Sequence, residues 1–483
     1  MSDPARSSGP GPGAVWADQH VAVVGTGVTG SAVVRALTGL GARVVAYDER
    51  TDAAAEARAV AIRAAGVEVR LGPTAVDEST TLVVTSPGVP PSAPLLIAAA
   101  ACGIPIWGDA ELAWRLRPSG AAPWVVVTGT NGKTTTVGML VAILAADGRR
   151  AVAAGNIGTP LVDVVLADEP YDVIAVELSS FQLHYSETIA PLAAVVLNLA
   201  PDHVDWHGSY DAYVAAKARV YERSATVVYP LDDATLAELA ASAARESGSR
   251  LVGLSRGIPP AGSLGVVEGI LVDRAYGPDP ARAAAELATT GDLFAPAPHV
   301  VADALAAVAL ALAAGVAPAS VRTGLAAFRP APHRIAEVAV VGEVVYVDDS
   351  KATNPHAAMA SLTAYAHVVW VAGGLAKGGG FDDLVVSVRE RLRAAVLIGR
   401  DRRVISDALA RHAPEVPVVD LDSTDTDVME DVVTAAAALA VPGDTVLLAP
   451  GCASWDMFAN YGARGNAFAS AVLRRAAERG DPS

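Results

Sequence analysis

Short runs of branched apolar residues, each closed by glycine or an acid and followed by an alanine-rich stretch, recur along almost the whole chain. Runs of about four to eight such residues read as strands buried on both faces. The stretches between them are long enough for crossover helices, so the pattern predicts parallel sheets of the α/β class. In the first segment the strand HVAVVGTG enters the helix VTGSAVVRALTGLG, and the strand ARVVAYDE follows. Further apolar runs occur at Val67–Leu71, Thr81–Thr85 and Ile104–Trp107, before a Pro-bearing joint at Arg117–Pro123. A second segment opens with the strand WVVVTG and the helix KTTTVGMLVAILAADG, followed by strands YDVIAVELS and LAAVVLNL. Periodicity is poor over Leu251–Leu293, and a joint RPAPHR (Arg329–Arg334) ends the segment. The third carries strands EVVYVDDS, HVVWVAGG, AAVLIGR, VPVVDL and DTVLLAP, which is another doubly wound sheet. The expected organisation is a disordered tail (1–17) and three α/β domains at 18–120, 121–330 and 331–483.

Composition narrows the partners. A chain of 483 residues is too long for one core, and 52% apolar residues supply several. A net charge of −16 with no basic stripe argues against nucleic acid or an anionic membrane surface as a partner. Two cysteines, Cys102 and Cys452, form no metal or disulfide framework and suit a reducing cytoplasm. The Pro/Gly/Ser-rich start lacks an apolar core and reads as a floppy tail rather than a signal peptide. The longest apolar run, Ala304–Ala319, is too short to span a membrane and reads as a buried helix.

Basic residues are distributed unevenly in kind. Arginine has taken nearly every basic position, and only Lys133, Lys217, Lys351 and Lys377 are lysines. A surface charge accepts either residue, so the four mark places that need a compact, tunable primary amine. Lys133 lies in Gly129-Thr130-Asn131-Gly132-Lys133-Thr134-Thr135, between a hydrophobic strand and a helix. Glycines let amides curl around phosphate, the helix end adds its dipole, Lys133 reaches the outer phosphates, and the Thr134 hydroxyl faces Mg²⁺. Val127 stands where the strict Walker A pattern has its first glycine.

Glu177 closes the strand YDVIAVE, a usual place for a Mg²⁺-holding carboxylate beside such a loop. Asp202, His203, Asp205 and His207 follow another strand end, and His203 could ligate metal or substrate. Lys217, mid-helix in AAKAR, could react with CO₂ to form a carbamate and become a metal-binding anion. In the third segment Asp349-Ser350-Lys351-Ala352-Thr353-Asn354, Lys377 and Ser454 sit on strand-end loops that converge on one sheet edge. Gly25-Thr26-Gly27-Val28-Thr29-Gly30 with Asp48 matches a pyrophosphate-binding turn, which by itself suits NAD.

In order, GTNGKTT, GNIGTP, ELSSFQL, APDH…AAK, PHR, DDSKATN and GCASWDMF…RGNAF resemble the Mur ligase family of peptidoglycan synthesis, from about residue 20 to the C-terminus. DSKATN and ASWDMF most resemble the members that add D-glutamate. The resemblance implies a Rossmann-like domain for a UDP-sugar, a central ATPase, and a C-terminal Rossmann-like domain for the amino acid. It implies ATP-dependent joining of D-glutamate to UDP-N-acetylmuramoyl-L-alanine (UDP-MurNAc-L-Ala) through an acyl phosphate, by a cytoplasmic monomer. Val28, Thr29, Glu49, Arg50 and Gly88 would meet the nucleotide-sugar, and Asn156 the substrate near the metals. Two Mg²⁺ would be held by Thr134, Glu177, His203 and a carbamylated Lys217. Arg334, Asp349 and Lys351 would approach ATP, while Thr353, Lys377, Ser454 and Tyr461 would surround D-glutamate. Asp303 is implied at the ATP site, although the chain reads His299-Val300-Val301-Ala302-Asp303 where the family often has His-Asn-x-x-Asn. An NAD-linked oxidoreductase with an accessory nucleotide domain, a nucleotide-binding switch protein and a ligase for another amino acid are the rival readings.

Overall fold

The structure, a computed structural model, describes residues 15–423 and 425–479. Most of the expected tail lies outside the described residues, and its last part, Trp16–Asp18, is a 3₁₀ turn. The chain divides into two compact units, one running to Leu293 and including Val300–Phe328, the other comprising Phe294–His299 and the residues from Arg329 onward.

In the first unit β1 (His20–Val24), β2 (Arg43–Asp48), β3 (Glu68–Leu71), β4 (Leu82–Thr85) and β5 (Ile106–Gly108) form an all-parallel sheet of order β3-β2-β1-β4-β5. A second sheet contains β6 (Trp124–Thr128), β7 (Ala151–Gly155), β8 (Val173–Glu177), β9 (Ala193–Val196) and β10 (Thr226–Pro230). It continues through β11 (Arg250–Leu254), β12 (Ser263–Val267), β13 (Ile270–Arg274) and β14 (Ala285–Thr289), in the order β14-β13-β12-β11-β10-β9-β6-β8-β7. The second unit holds β15 (Ala336–Val341), β16 (Val344–Asp348), β17 (Val368–Gly373), β18 (Leu392–Ile398), β19 (Val418–Asp420) and β20 (Thr445–Leu448), ordered β15-β16-β20-β17-β18-β19. The α/β class expected from the hydrophobic pattern holds. Strands such as β6, β9 and β17 are buried at every residue, as a sheet covered on both faces requires.

Several strands and one helix depart from the expectation. The aperiodic stretch Leu251–Leu293 is an edge of short strands, with β12, β13 and β14 antiparallel and a register shift at Leu271/Val272. That bulge breaks the alternation by which a half-exposed strand is read. β7, with the composition AVAAG, carries too little branched character to stand out. β15 and β16 form a hairpin over Gly342 and Glu343, both at positive φ. The apolar run at Ala304–Ala319 is not one helix. Helix Pro298–Ala313 stops before Gly315 (φ +81°), and Pro318 opens the helix Pro318–Ala327. No described helix is long and apolar enough to cross a membrane.

The first two sheets share one core, in which Leu37, Leu112 and Leu161 belong to a single buried cluster. Polar groups join them as well. Glu111, fully buried, accepts from the Glu187 and Thr188 amides, the Thr188 hydroxyl and Arg115. Arg117, in the joint expected to be hinge-like, lies 3.2 Å from the ring centroid of Trp114. Asp109 is buried with one oxygen bonded by Gln182 Nε2 (3.0 Å), and burial pushes its carboxyl up to about 6.

Because that folded value exceeds the unfolded one, the unfolded chain releases the proton first. Stability is therefore full below about pH 4 and falls as pH rises through about 6. Asp109→Asn should flatten this slope and raise stability at pH 7 by about 2–3 kcal/mol. Urea unfolding at pH 4, 5, 6 and 7 measures it, and parallel curves for the two proteins would contradict the assignment.

Candidate functional site

The phosphate-loop candidate hangs from the carboxyl end of β6 and leads into helix Lys133–Ala146. Gly132 caps that helix at φ +84°, and a methyl carbon added there would lie 2.2 Å from Asp303 Oδ1. Asp303, on helix Pro298–Ala313, is thus seated against the loop despite the altered pattern around it. Asn198 clamps the loop from β9's side, accepting from the Asn131 amide (2.9 Å) and donating to the Asn131 carbonyl (3.2 Å). Its carbonyl also takes the Thr130 amide.

Two of the four lysines meet here. Lys133 Nζ donates to the Gly129 and Thr130 carbonyls at 2.9 Å each, and Lys217 Nζ donates to the same Gly129 carbonyl at 2.8 Å. Lys217 is the penultimate residue of helix Tyr210–Ala218 rather than a mid-helix residue, and is 3% exposed. Burial pushes its ammonium well below the usual lysine range, and the neighbouring Lys133 charge pushes the same way, while Asp202 and Glu177 oppose them. A lowered proton affinity favours the neutral, nucleophilic form of the amine. Tyr213 lies beneath it (4.9 Å to the ring centroid) and shares a 2.7 Å hydrogen bond with the Thr130 hydroxyl.

Glu177, at the end of β8, is 2% exposed and divided between two partners. Thr134 Oγ1 donates to one carboxylate oxygen (2.8 Å) and Asn156 Nδ2 to the other (2.9 Å). His203 stands at positive φ with its ring 4.6 Å from Phe181 and its Nε2 3.5 Å from Asp202. His207 bonds Ser180 Oγ (2.9 Å), and burial holds its imidazole down at about 4, with His203 and Lys217 adding to the effect. Among the described residues no group of three or more His, Cys, Asp or Glu side chains is poised for a metal. The donors present are mixed: a carboxylate, a hydroxyl, an imidazole and a buried amine. The carboxylate and the hydroxyl are hard oxygen donors that suit Mg²⁺ rather than a soft metal, while the imidazole and the amine offer nitrogen.

At the first sheet, the Asp48 carboxylate is spent internally. Arg50 donates to it through its amide, Nε and Nη2, and Thr26 through its amide and hydroxyl. Burial would raise this carboxyl, but those bonds outweigh it and hold it well below the usual range. With both oxygens filled, Asp48 is poorly placed to take a nicotinamide-dinucleotide ribose, which counts against the oxidoreductase reading. Val28, Glu49, Arg50 and Gly88 are exposed and Thr29 is half-buried. Beside them a cleft of ≈350 Å³, open to solvent, is walled by Tyr47, Pro73, Thr74 and Leu95.

In the second unit, the loops after β16, β17 and β20 meet. Leu375 and Ala453 exchange both backbone hydrogen bonds (2.8 and 2.9 Å), which joins the Lys377 turn to the Ser454 turn. Gly374 permits this approach, since a methyl carbon there would lie 2.2 Å from the Ala453 carbonyl. Lys351 Nζ lies 4.4 Å from the Tyr461 ring centroid and Lys377 Nζ 4.3 Å from that of Trp455. Asp349 is buried, bonded by the Ser361 hydroxyl and the Ile335 amide, and pushed by burial up to about 6. Arg334 follows His333, whose ring bonds Asp348 (2.6 Å) and whose carbonyl takes the Lys351 amide. Thr353 is half-buried, just before the Asn354 cap. Sequence reasoning gave no role to Asn198, Tyr213 or Ser361, nor to Trp455 and Arg464 within the quoted stretches ASWDMF and RGNAF, because each role depends on what the side chain faces.

Three family models match the chain: the Mur ligase MurD-like N-terminal domain over residues 19–108, the Mur ligase middle domain over 127–257, and the Mur ligase glutamate ligase domain over 333–452. The chain belongs to the Mur ligase family. Among curated relatives, the UDP-N-acetylmuramoylalanine--D-glutamate ligase of Streptomyces avermitilis is 57% identical over 95% of this chain and 98% of its own. That of Mycolicibacterium smegmatis is 49% identical over 94% and 96%. The MurF ligase of Thermotoga maritima, solved in complex with ADP, shares the fold at 17% identity and a TM-score of 0.58, over 99% of this chain and 100% of that one.

Gly132→Ala should destabilise the protein by about 1–3 kcal/mol, from strain at positive φ and the displaced Asp303 carboxylate. A thermal melt close to wild type would contradict that packing.

Proposed function

We infer that this protein joins D-glutamate to UDP-MurNAc-L-Ala at the expense of ATP, in the synthesis of peptidoglycan precursors. The observation that carries the reaction is the 57% identity, over nearly full length, to a relative of that name. On this reading residues 18–120 hold the UDP-sugar through Val28, Thr29, Glu49, Arg50 and Gly88. Residues 121–330 hold ATP, and residues 331–483 bring D-glutamate. The enzyme works as a cytoplasmic monomer on small molecules.

A terminal carboxylate oxygen of the substrate's L-alanine attacks the γ-phosphorus, and ADP leaves. The amine of D-glutamate then attacks the acyl-phosphate carbonyl, loses a proton, and the tetrahedral intermediate expels phosphate. Lys133 and Arg334 offset charge on the transferring group, with Lys351 and Asp349 beside ATP. The loop from Gly129 to Thr135 cradles the phosphates, with Asp303 packed behind it. Glu177, Thr134 and His203 would hold Mg²⁺, with Asn156 orienting Glu177. Lys217, its proton affinity lowered by burial, would take up CO₂ as the free amine by forming an N–C bond and releasing a proton, and its carbamate would complete the second metal site. Bound magnesium supplies charge neutralisation and alignment of the γ-phosphoryl group. Thr353, Lys377, Ser454 and Tyr461 would receive D-glutamate, and His203 is a candidate acceptor for its amine proton.

Phosphate release should require ATP, UDP-MurNAc-L-Ala and D-glutamate together, and L-glutamate should not replace the D-isomer. Release without an amino acid, or with other amino acids equally, would overturn the reading. Lys133→Ala should lower turnover by at least about 10²–10³-fold. Lys217→Ala should be inactive and partly restored by short carboxylic acids. No response to such acids in a folded variant would remove the carbamate from the scheme.

A further inference from the structure

Arg464, on helix Tyr461–Arg479, is 1% exposed, and its hydrogen bonds go to a hydroxyl and to backbone carbonyls rather than to a carboxylate. Burying a guanidinium is costly, and an apolar side chain would fill the same space without that cost, while Asp456 and Asp348 offset it only by longer-range attraction. Its donors go to three loops. Nε bonds Ser350 Oγ (3.0 Å), Nη2 bonds the Ser350 carbonyl (2.9 Å), and Nη1 bonds the Cys452 carbonyl (3.1 Å) and the Gly373 carbonyl (3.4 Å). Burial lowers its proton affinity to about 10, so it stays charged at neutral pH.

Those acceptors sit at the ends of β16, β17 and β20, which are neighbours in the sheet. Ser350 directly precedes Lys351, Gly373 opens the turn that carries Lys377, and Cys452 lies two residues before Ser454. Ser350 Oγ in turn donates to the Tyr461 carbonyl (2.8 Å), so the aromatic residue under Lys351 joins the same network. A planar fork of five donors can hold three loops at fixed spacing, which an ammonium cannot do.

We propose that Arg464 is the positioning residue that sets the spacing of the D-glutamate-binding loops, fixing Lys351, Lys377 and Ser454 relative to one another without touching substrate. This rests on the amino-acid role assigned above to the second unit. It predicts a selective effect. Poorly spaced loops weaken D-glutamate binding, whereas partial unfolding lowers the fraction of active enzyme and leaves Michaelis constants alone.

The test compares phosphate release by wild type and Arg464→Lys, varying each substrate in turn. The substitution should raise KM for D-glutamate by roughly 10–30-fold, corresponding to one or two lost charged hydrogen bonds. KM for UDP-MurNAc-L-Ala should stay within about twofold, the scatter expected of a site left unaltered. An unchanged KM for D-glutamate, or both constants rising together, would overturn the proposal. If Arg464→Lys does not fold, Ser350→Ala decides. It removes one acceptor of Arg464 together with the donor to the Tyr461 carbonyl, and should raise KM for D-glutamate by about 3–10-fold, and no rise would overturn the proposal. Wild type lacking D-glutamate-dependent release would instead sink the functional reading, and this proposal with it.

Discussion

A parallel sheet can stand only when helices cover both its faces, so the chain must cross over after every strand and return to the same end. That constraint places the candidate chemistry of this protein. Thr128, Glu177 and Val196 end adjacent strands of the second sheet, and the phosphate loop, the Glu177 carboxylate and the Asn198 clamp follow from those ends. In the second unit the same rule gathers the loops after β16, β20 and β17. No residue needs to be near another in sequence for this to work. Lys217 reaches the Gly129 carbonyl from 88 residues away.

Charge is handled differently at the two gatherings. In the first unit burial lowers the proton affinity of an amine, and a buried carboxylate is held by two neutral donors. In the second unit Arg464 keeps its charge and spends it on backbone carbonyls, which stiffens the loops around it. One arrangement stores reactivity and the other supplies rigidity, and a ligase that must align two substrates with ATP needs both.

Sequence and structure agree where a residue's role is local. The loop Gly129–Thr135 was legible because strand, glycines, lysine and helix are contiguous, and Glu177 because it ends a hydrophobic run. The GTGVTG turn was legible as a turn and misleading about its ligand, since only the fold fills both oxygens of Asp48 with Arg50 and Thr26. The strands of Leu251–Leu293 were lost to a bulge and to edge exposure, both of which erase periodicity.

From composition and order alone came the α/β class, the phosphate loop, and the singling out of four amines in a chain that otherwise uses arginine. These follow from hydrophobic spacing and residue chemistry, which depend on near neighbours. Tertiary structure decided that Lys133 and Lys217 share one carbonyl, that burial lowers the proton affinity of Lys217, and that Arg464 bonds three loops. A proton's affinity and a hydrogen bond's partner are set by what surrounds a group in space, and that is fixed only when distant segments pack together.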